Sequence, residues 1–305
     1  MSVISAAVPL AIVGPTASGK SSVAIELARR HLSIELLSVD SMQVYRGMDV
    51  GTAKPSPAEQ AEIRHHLIDL ADPHENFTLV DFQASHDAAM TGIAQRDAQP
   101  ILVGGTGMYF QGVVDGMKPP PRFPEVVSEL DAEPDTIALH THLAGLDPVA
   151  AGRMEPTNRR RVLRALEVTI GSGQPFSSFG PGVDSYPDVP HRLIGIEIAR
   201  PLLDERIEAR YHEQIATGFL DEVEGLLARS AGWSRTAAQA LGYKELASHV
   251  AGECSLDEAL ALANKRTRRF ARRQQRWFRR DPRIEWIEHD GDASSIVEQL
   301  SPLFD

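Results

Sequence analysis

Short apolar runs and helical periodicities alternate along the first third of the chain. Residues 8–13 form an apolar run that leads into a glycine-rich stretch, and from residue 22 to 30 apolar side chains recur at helical spacing: Val23, Ile25, Leu27 and Ala28. Ile34–Val39 repeats the short run and ends on Asp40, and a weaker run follows at 66–70. Thr78 then opens a helical stretch to about Arg96, and residues 101–103 form another strand before Gly104-Gly105-Thr106-Gly107. Short runs without alternation read as strands covered on both faces, and the stretches between them as packed helices. Strand, helix, strand, helix with short links predicts a parallel sheet with helices on both sides, whose ligands bind beyond the carboxyl ends of the strands. The glycine-rich stretch, Asp40 and the 104–107 turn all fall at such ends, so one cleft is expected to hold all three.

The pattern breaks at Pro119-Pro120-Pro121. From there to residue 190 the chain is punctuated by Pro, Gly and Ser around one clear helix at 159–169, RRRVLRALEVT. Residues 191–198, HRLIGIEI, return to the sheet, and the chain after Pro201 is mainly helical. Ser255 followed by Glu258 fits a capping box, and the helix it opens is expected to run to Arg280 before Asp281-Pro282 stops it. We therefore divide the chain into a core of residues 1–118 and 191–305 and an inserted subdomain of residues 119–190.

Composition narrows this little. The 305 residues, 42% apolar and 24% charged, are those of an ordinary globular protein. No run approaches the roughly 18 apolar residues of a membrane span, and the N-terminus lacks the basic region of a secretory signal. A cytoplasmic protein without a membrane partner is expected, acting as a monomer. The single Cys254 excludes an internal disulfide and leaves no thiol pair for structural zinc. Charge changes the picture more. The net charge is −11, yet residues 264–283, NKRTRRFARRQQRWFRRDPR, hold ten Lys and Arg against the single acid Asp281. That segment carries +9 and the remainder −20. As a helix it places Lys265, Arg269, Arg272, Arg276 and Arg280 in one stripe, suited to a polyanion, while Phe270 and Trp277 mark a side that packs on the core.

Gly14-Pro15-Thr16-Ala17-Ser18-Gly19-Lys20-Ser21 matches G-x-x-x-x-G-K-[ST] between a predicted strand and a predicted helix. In that context the glycines let backbone N–H groups wrap a polyphosphate, Lys20 adds a point charge, and Ser21 is placed to ligate Mg²⁺. The expected fold is α/β: a P-loop NTPase-like parallel sheet with flanking helices, a small, mainly helical insertion and a helical C-terminal part. Three functions remain open on these grounds: a small-molecule kinase or nucleoside triphosphatase, a non-catalytic nucleic-acid binder with a vestigial nucleotide site, and an enzyme that alkylates a nucleic acid with a pyrophosphate ester.

The run DSMQVYRGMDVGTAKP at 40–55, at its spacing from GPTASGKS, closely resembles the tRNA dimethylallyltransferases, also called tRNA isopentenyltransferases. The resemblance continues through LVGGTGMYF at 102–110, RRRVLRALEV at 159–168, RIEARYHEQIATGFLDEVEGLL at 206–227, LGY at 241–243 and RRFARRQQRWFRR at 268–280, in the same order over nearly the whole chain. It is to the bacterial type, because the zinc-finger extension of eukaryotic relatives is missing from this sequence. The resemblance implies transfer of a dimethylallyl group from dimethylallyl diphosphate to N6 of adenosine 37, beside the anticodon of tRNAs reading codons that begin with U. A relative acting on free AMP is the nearest alternative, but it has no need of two basic surfaces.

Roles follow by resemblance. The adenine amine is a weak nucleophile, so a carboxylate is needed to take its proton, and Asp40 is the candidate. Residues 14–21 hold the diphosphate, Arg210 faces it, and Mg²⁺ sits on Ser21. Thr106 contacts the acceptor near the reacting amine. Asp40, Ser41, Met42 and Gln43 meet the extruded base, with the Gln43 amide suited to reading its edge. Arg160, Arg161 and Arg164 of the insertion, Gln239, Gly242, Tyr243 and Lys244 of the 239–244 turn, and Arg272, Arg273, Arg276 and Arg279 contact the anticodon stem-loop. Gln239 and Lys244 depart from the family, which usually carries Arg at these positions. The pairs His65-His66 and His140/His142 read as ordinary polar positions.

Overall fold

The computed structural model describes residues 8–304. Gly116–Pro187 forms one compact unit and the described residues on either side form the other, against the 119–190 division drawn from composition.

The larger unit opens with β1 (Leu10–Val13), α1 (Lys20–Arg30), β2 (Ile34–Val39), α2 (Pro57–Glu62), β3 (His65–His66), α3 (Leu79–Gln95), β4 (Gln99–Gly104) and α4 (Gly107–Val114). In the smaller unit, α5 (Pro124–Asp131), α6 (Thr136–Leu146), α7 (Pro148–Gly152) and α8 (Arg159–Ser172) pack around Leu139, Leu143, Val162, Ala165 and Leu166. Only α8 was visible in the sequence. The other three are short, and their starts are set by Pro124, by the Asp135 cap on Ile137 N, and by the Asp147 cap on Ala150 N rather than by apolar periodicity.

The larger unit resumes with β5 (Arg192–Ile198), α9 (Arg200–Ala216), α10 (Phe219–Leu227), α11 (Tyr243–Val250), α12 (Leu256–Phe278), β6 (Glu285–His289) and α13 (Ser294–Leu300). Its six strands form one parallel sheet in the order β3-β2-β4-β1-β5-β6. β1 lies between β4 and β5 and all four of its side chains are buried, as its unbroken apolar run predicts. Ala11 and Val13 face the core built with α3, α4 and α9 to α12, while Leu10 and Ile12 face the core built with α1 and α13. No helix among the described residues is long and apolar enough to cross a membrane.

Two expectations need correction. The run at 66–70 contributes only His65–His66 to the sheet, because Leu67 and Asp69 take positive φ and the chain turns back to bond Val44 through Leu70 and Ala71. The C-terminal part is mainly helical as expected, with Glu285–His289 adding an edge strand whose glutamates disguise it. α12 keeps its Ser255 capping box but stops at Phe278, two residues short.

Candidate active site

The register of the sheet brings the sequence motifs together. Val39 pairs with Gly104, and Gly104 with Val13, so Asp40, Gly105-Thr106 and the glycine loop leave three adjacent strands at the same level. Close approach of these ends requires glycine: a Cβ at Gly104 would collide with the Val39 carbonyl, and one at Gly14 would lie 2.7 Å from the Ile196 carbonyl.

The loop between β1 and α1 bends through Ala17 (φ 65°) and Gly19 (φ 90°), which turns its N–H groups toward one point. Ser18 is fully buried and its hydroxyl has no hydrogen-bond partner among the described residues. Lys20 Nζ reaches only the Pro15 carbonyl, at 3.3 Å. Desolvation brings its pKa down to about 8, against the pull of Asp40 and with the help of Arg210. Arg210 comes from α9, and its Nη1 donates to Thr16 Oγ1 at 2.8 Å while its buried Nε has no partner. Burial lowers its pKa, with Tyr211 and Asp40 opposing. It makes no surface ion pair, and its neighbour Glu208 is taken by Arg268. The site therefore holds two cations and unused donors that an anion would satisfy. Ser21 stands exposed in the first turn of α1.

At the end of β2, Asp40 Oδ1 accepts from Met42 N at 2.8 Å and Gln43 N at 3.4 Å, which fixes the carboxylate and leaves Oδ2 without a hydrogen-bond partner among the described residues. Thr106 Oγ1 accepts from Ser41 N at 3.1 Å, so the 104–107 turn and the 40–43 turn are joined beside it. Gln43 is not free to read a base edge as expected. Its Nε2 donates to the Thr52 and Ala53 carbonyls and its Oε1 accepts from Ser38 Oγ at 2.6 Å, so the amide is spent on the protein's own chain.

The basic residues also divide. On α12, Arg272, Arg273 and Arg276 are exposed, whereas Arg279 pairs with Glu197 and lies over the Trp286 ring. Trp277 packs on the core as expected, but Phe270 lies under Arg273 and the buried side is Ala263, Thr267, Ala271, Gln274 and Phe278. In the smaller unit Arg160 and Arg161 are exposed. Arg164 is bound to the buried Glu167 at 2.7 Å and to the Pro120 and Pro121 carbonyls, which shows it holding that unit together. In the 239–244 turn Gln239 and Lys244 are exposed, but Gly242 and Tyr243 are buried, with the Tyr243 hydroxyl on Glu222 at 2.5 Å. Packing is the reason: Tyr243 meets the Phe219 ring edge-on and is closed off from any surface ligand. His66 bonds Glu35, and His65 and His140 bond backbone carbonyls.

Sequence reasoning passed over Gln274, His289 and Glu222. Gln274 links Thr16 N to the Gly105 carbonyl, His289 Nε2 donates to the Ser18 carbonyl at 2.9 Å, and Glu222 accepts from Asp49 N, Val50 N and Gly51 N. A polar residue recurring on the apolar side of α12 was the one available signal for Gln274.

The family model described as IPP transferase matches residues 43–281. A tRNA dimethylallyltransferase of Geobacter metallireducens is 45% identical over 301 residues, covering 96% of each chain. The crystal structure of the full-length tRNA isopentenylpyrophosphate transferase of Bacillus halodurans superposes with a TM-score of 0.70 at 35% identity, covering 97% of this chain and 95% of that one. A eukaryotic dimethylallyltransferase acting on tRNA shares the fold, with a TM-score of 0.78 at 24% identity over 92% of this chain and 73% of that one.

Proposed function

The chain belongs to the IPP transferase family, and from that premise we propose how it works: it is a transferase that prenylates tRNA, moving a dimethylallyl group from dimethylallyl diphosphate to N6 of adenosine 37 in tRNAs reading codons that begin with U. The observation that carries the reading is the alignment of a donor-rich phosphate loop with a fixed carboxylate, at the ends of β1 and β2 on either side of β4.

The diphosphate binds in the loop of residues 14–21, where it gives the Ser18 hydroxyl and Arg210 Nε the partners they lack. The adenine, extruded from its stack, presents N6 to Asp40 Oδ2. As the N6–C1 bond forms, the C1–O bond to the diphosphate breaks and Asp40 takes the N6 proton. Lys20, Arg210 and the loop N–H groups meet the growing charge of the leaving diphosphate. Thr106, through Ser41, keeps the acceptor turn in register with Asp40. The exposed Ser21 hydroxyl would be the protein ligand for Mg²⁺, and no three His, Cys, Asp or Glu side chains converge among the described residues. The ion held there would neutralise charge on the leaving group. Arg272, Arg273 and Arg276 of α12, and Arg160 and Arg161 of the insertion, engage tRNA phosphates. A kinase or triphosphatase leaves the basic stripe without a purpose.

The test is one incubation with labelled dimethylallyl diphosphate and either tRNA, AMP or ATP. Label is expected in tRNA, at adenosine 37, and to require Asp40 and Mg²⁺. Label in AMP alone, or phosphate released from ATP with none in RNA, overturns the proposal.

A further inference from the structure

We infer that Gln274 is a positioning residue that sets the spacing between the donor loop and the acceptor turn, an inference that rests on the reaction proposed above. Its Oε1 accepts from Thr16 N at 2.8 Å and its Nε2 donates to the Gly105 carbonyl at 2.8 Å, across 258 and 169 residues of sequence. The side chain is 5% exposed. A buried amide costs stability unless both ends are bonded, and here both are bonded to loop backbones rather than to its own helix.

What it bonds is informative. Thr16 is held twice, by Gln274 at its N–H and by Arg210 at its hydroxyl, so the first turn of the phosphate loop has a fixed position before a ligand arrives. Gly105 precedes Thr106, which holds the turn after Asp40. A Cβ at Gly105 would fall on Gln274 Nε2, so glycine there is what admits the amide. One side chain thus joins the two halves of the reaction. It also lies on α12 between Arg273 and Arg276, so a load placed on the exposed arginines reaches Thr16 and Gly105 through one helical turn. tRNA and donor binding are linked through this residue, and the linkage is reciprocal.

The variants are Gln274→Met, which keeps the volume and loses both bonds, and Gln274→Glu, which keeps an acceptor for Thr16 N but faces the Gly105 carbonyl with an anion until protonated. Each is assayed for kcat and for KM toward dimethylallyl diphosphate, for tRNA Kd, and for hydrogen exchange at the Thr16 amide without substrate. Melting curves establish that each variant is folded. Gln274→Met is expected to lower kcat/KM by about 10- to 100-fold, the scale of a small misplacement of reacting groups. tRNA Kd should stay within about twofold, the saving in donor affinity on adding tRNA should disappear, and Thr16 exchange should accelerate. Gln274→Glu should raise the donor KM relative to wild type at pH 8, and that ratio should shrink as the pH falls, a response that a purely packing role lacks. Unchanged kinetics in folded Gln274→Met, or loss confined to tRNA Kd, overturns the inference. If wild-type protein transfers no label, the proposed reaction fails instead, and Thr16 exchange still reports on the strut.

Discussion

Replacing Arg269, Arg272 and Arg276 together by Gln should flatten the salt dependence of tRNA binding. Lys265, Arg269, Arg272 and Arg276 are exposed on one side of α12 and pair with no carboxylate among the described residues. Their spacings of four, three and four residues spread them over about 16 Å at 1.5 Å per residue. The neighbouring Arg266, Arg268 and Arg279 are already paired with Glu245, Glu208 and Glu197. Each phosphate neutralised contributes roughly −0.7 to −0.9 to the slope of log K against log salt, so losing three such contacts should make the slope shallower by about 2.1 to 2.7, whatever the remaining cations contribute. Between 50 and 200 mM KCl, the loss of affinity for an anticodon stem-loop should then be about 20- to 40-fold smaller in the triple variant than in wild type. Fluorescence anisotropy titrations in a KCl series measure both slopes, and Arg268→Gln, whose partner is Glu208, is the paired control expected to leave the slope nearly unchanged. Exposed substitutions of this kind cost little stability, so melting temperatures should agree. An unaltered slope in the triple variant returns the stripe to a merely solvated face and removes α12 from the tRNA surface.

Other expectations follow from the site. Asp40→Asn should lower transfer by about 10²-fold or more while tRNA Kd holds, measured by label incorporation and binding in parallel; loss of binding with normal turnover on bound tRNA contradicts the base assignment. Lys20, at about pKa 8 against an ordinary 10.5, binds fewer protons folded than unfolded between those values. Fold stability without ligand should therefore rise as pH increases through that window, while donor KM rises as the ammonium is lost, a pairing that Lys20→Met should abolish. Glu222→Ala strands three backbone N–H groups and the buried Tyr243 hydroxyl, which should cost about 3 kcal/mol in a denaturant titration and slow transfer through the 49–51 turn. EDTA should stop transfer and added Mg²⁺ restore it, with Ser21→Ala needing more of the ion for half-maximal rate.

The parallel sheet was legible because β1 is an unbroken apolar run and β2, though it carries Glu35 and Ser38, offers Ile34, Leu36, Leu37 and Val39, whose burial demands cover on both faces. Edges were not: β6 sets Trp286 and Ile287 between Glu285 and Glu288 with no run or alternation to mark it, and an edge strand needs less apolar content than a central one. Short helices in the insertion escaped for a similar reason, since caps and Pro starts define them over too few turns for a period to show. The phosphate loop was read in full from local chemistry. Arg210 was reached only through resemblance, and Gln274 not at all, because its partners lie 258 and 169 residues away.

Resemblance to a motif and contact with a substrate are different properties, and residues 40–55 separate them. Gln43 gives its amide to Thr52 and Ala53, and Lys54, almost wholly covered, gives its ammonium to Asp49 and Asp69 and to the Tyr45 carbonyl. Glu222 and Gln214, from α10 and α9, satisfy the Asp49–Gly51 backbone, and Gly51 leaves no room for a Cβ against Phe219. Backbone that leaves a sheet without entering a helix must find partners elsewhere, and here its own side chains supply many of them. A recognisable run of this kind records the cost of holding Asp40 still as much as the chemistry proposed for Asp40. The residues proposed to meet substrate are then a minority of the pattern, and polar atoms without a partner among the described residues, such as Ser18 Oγ and Arg210 Nε, mark them better than the pattern does.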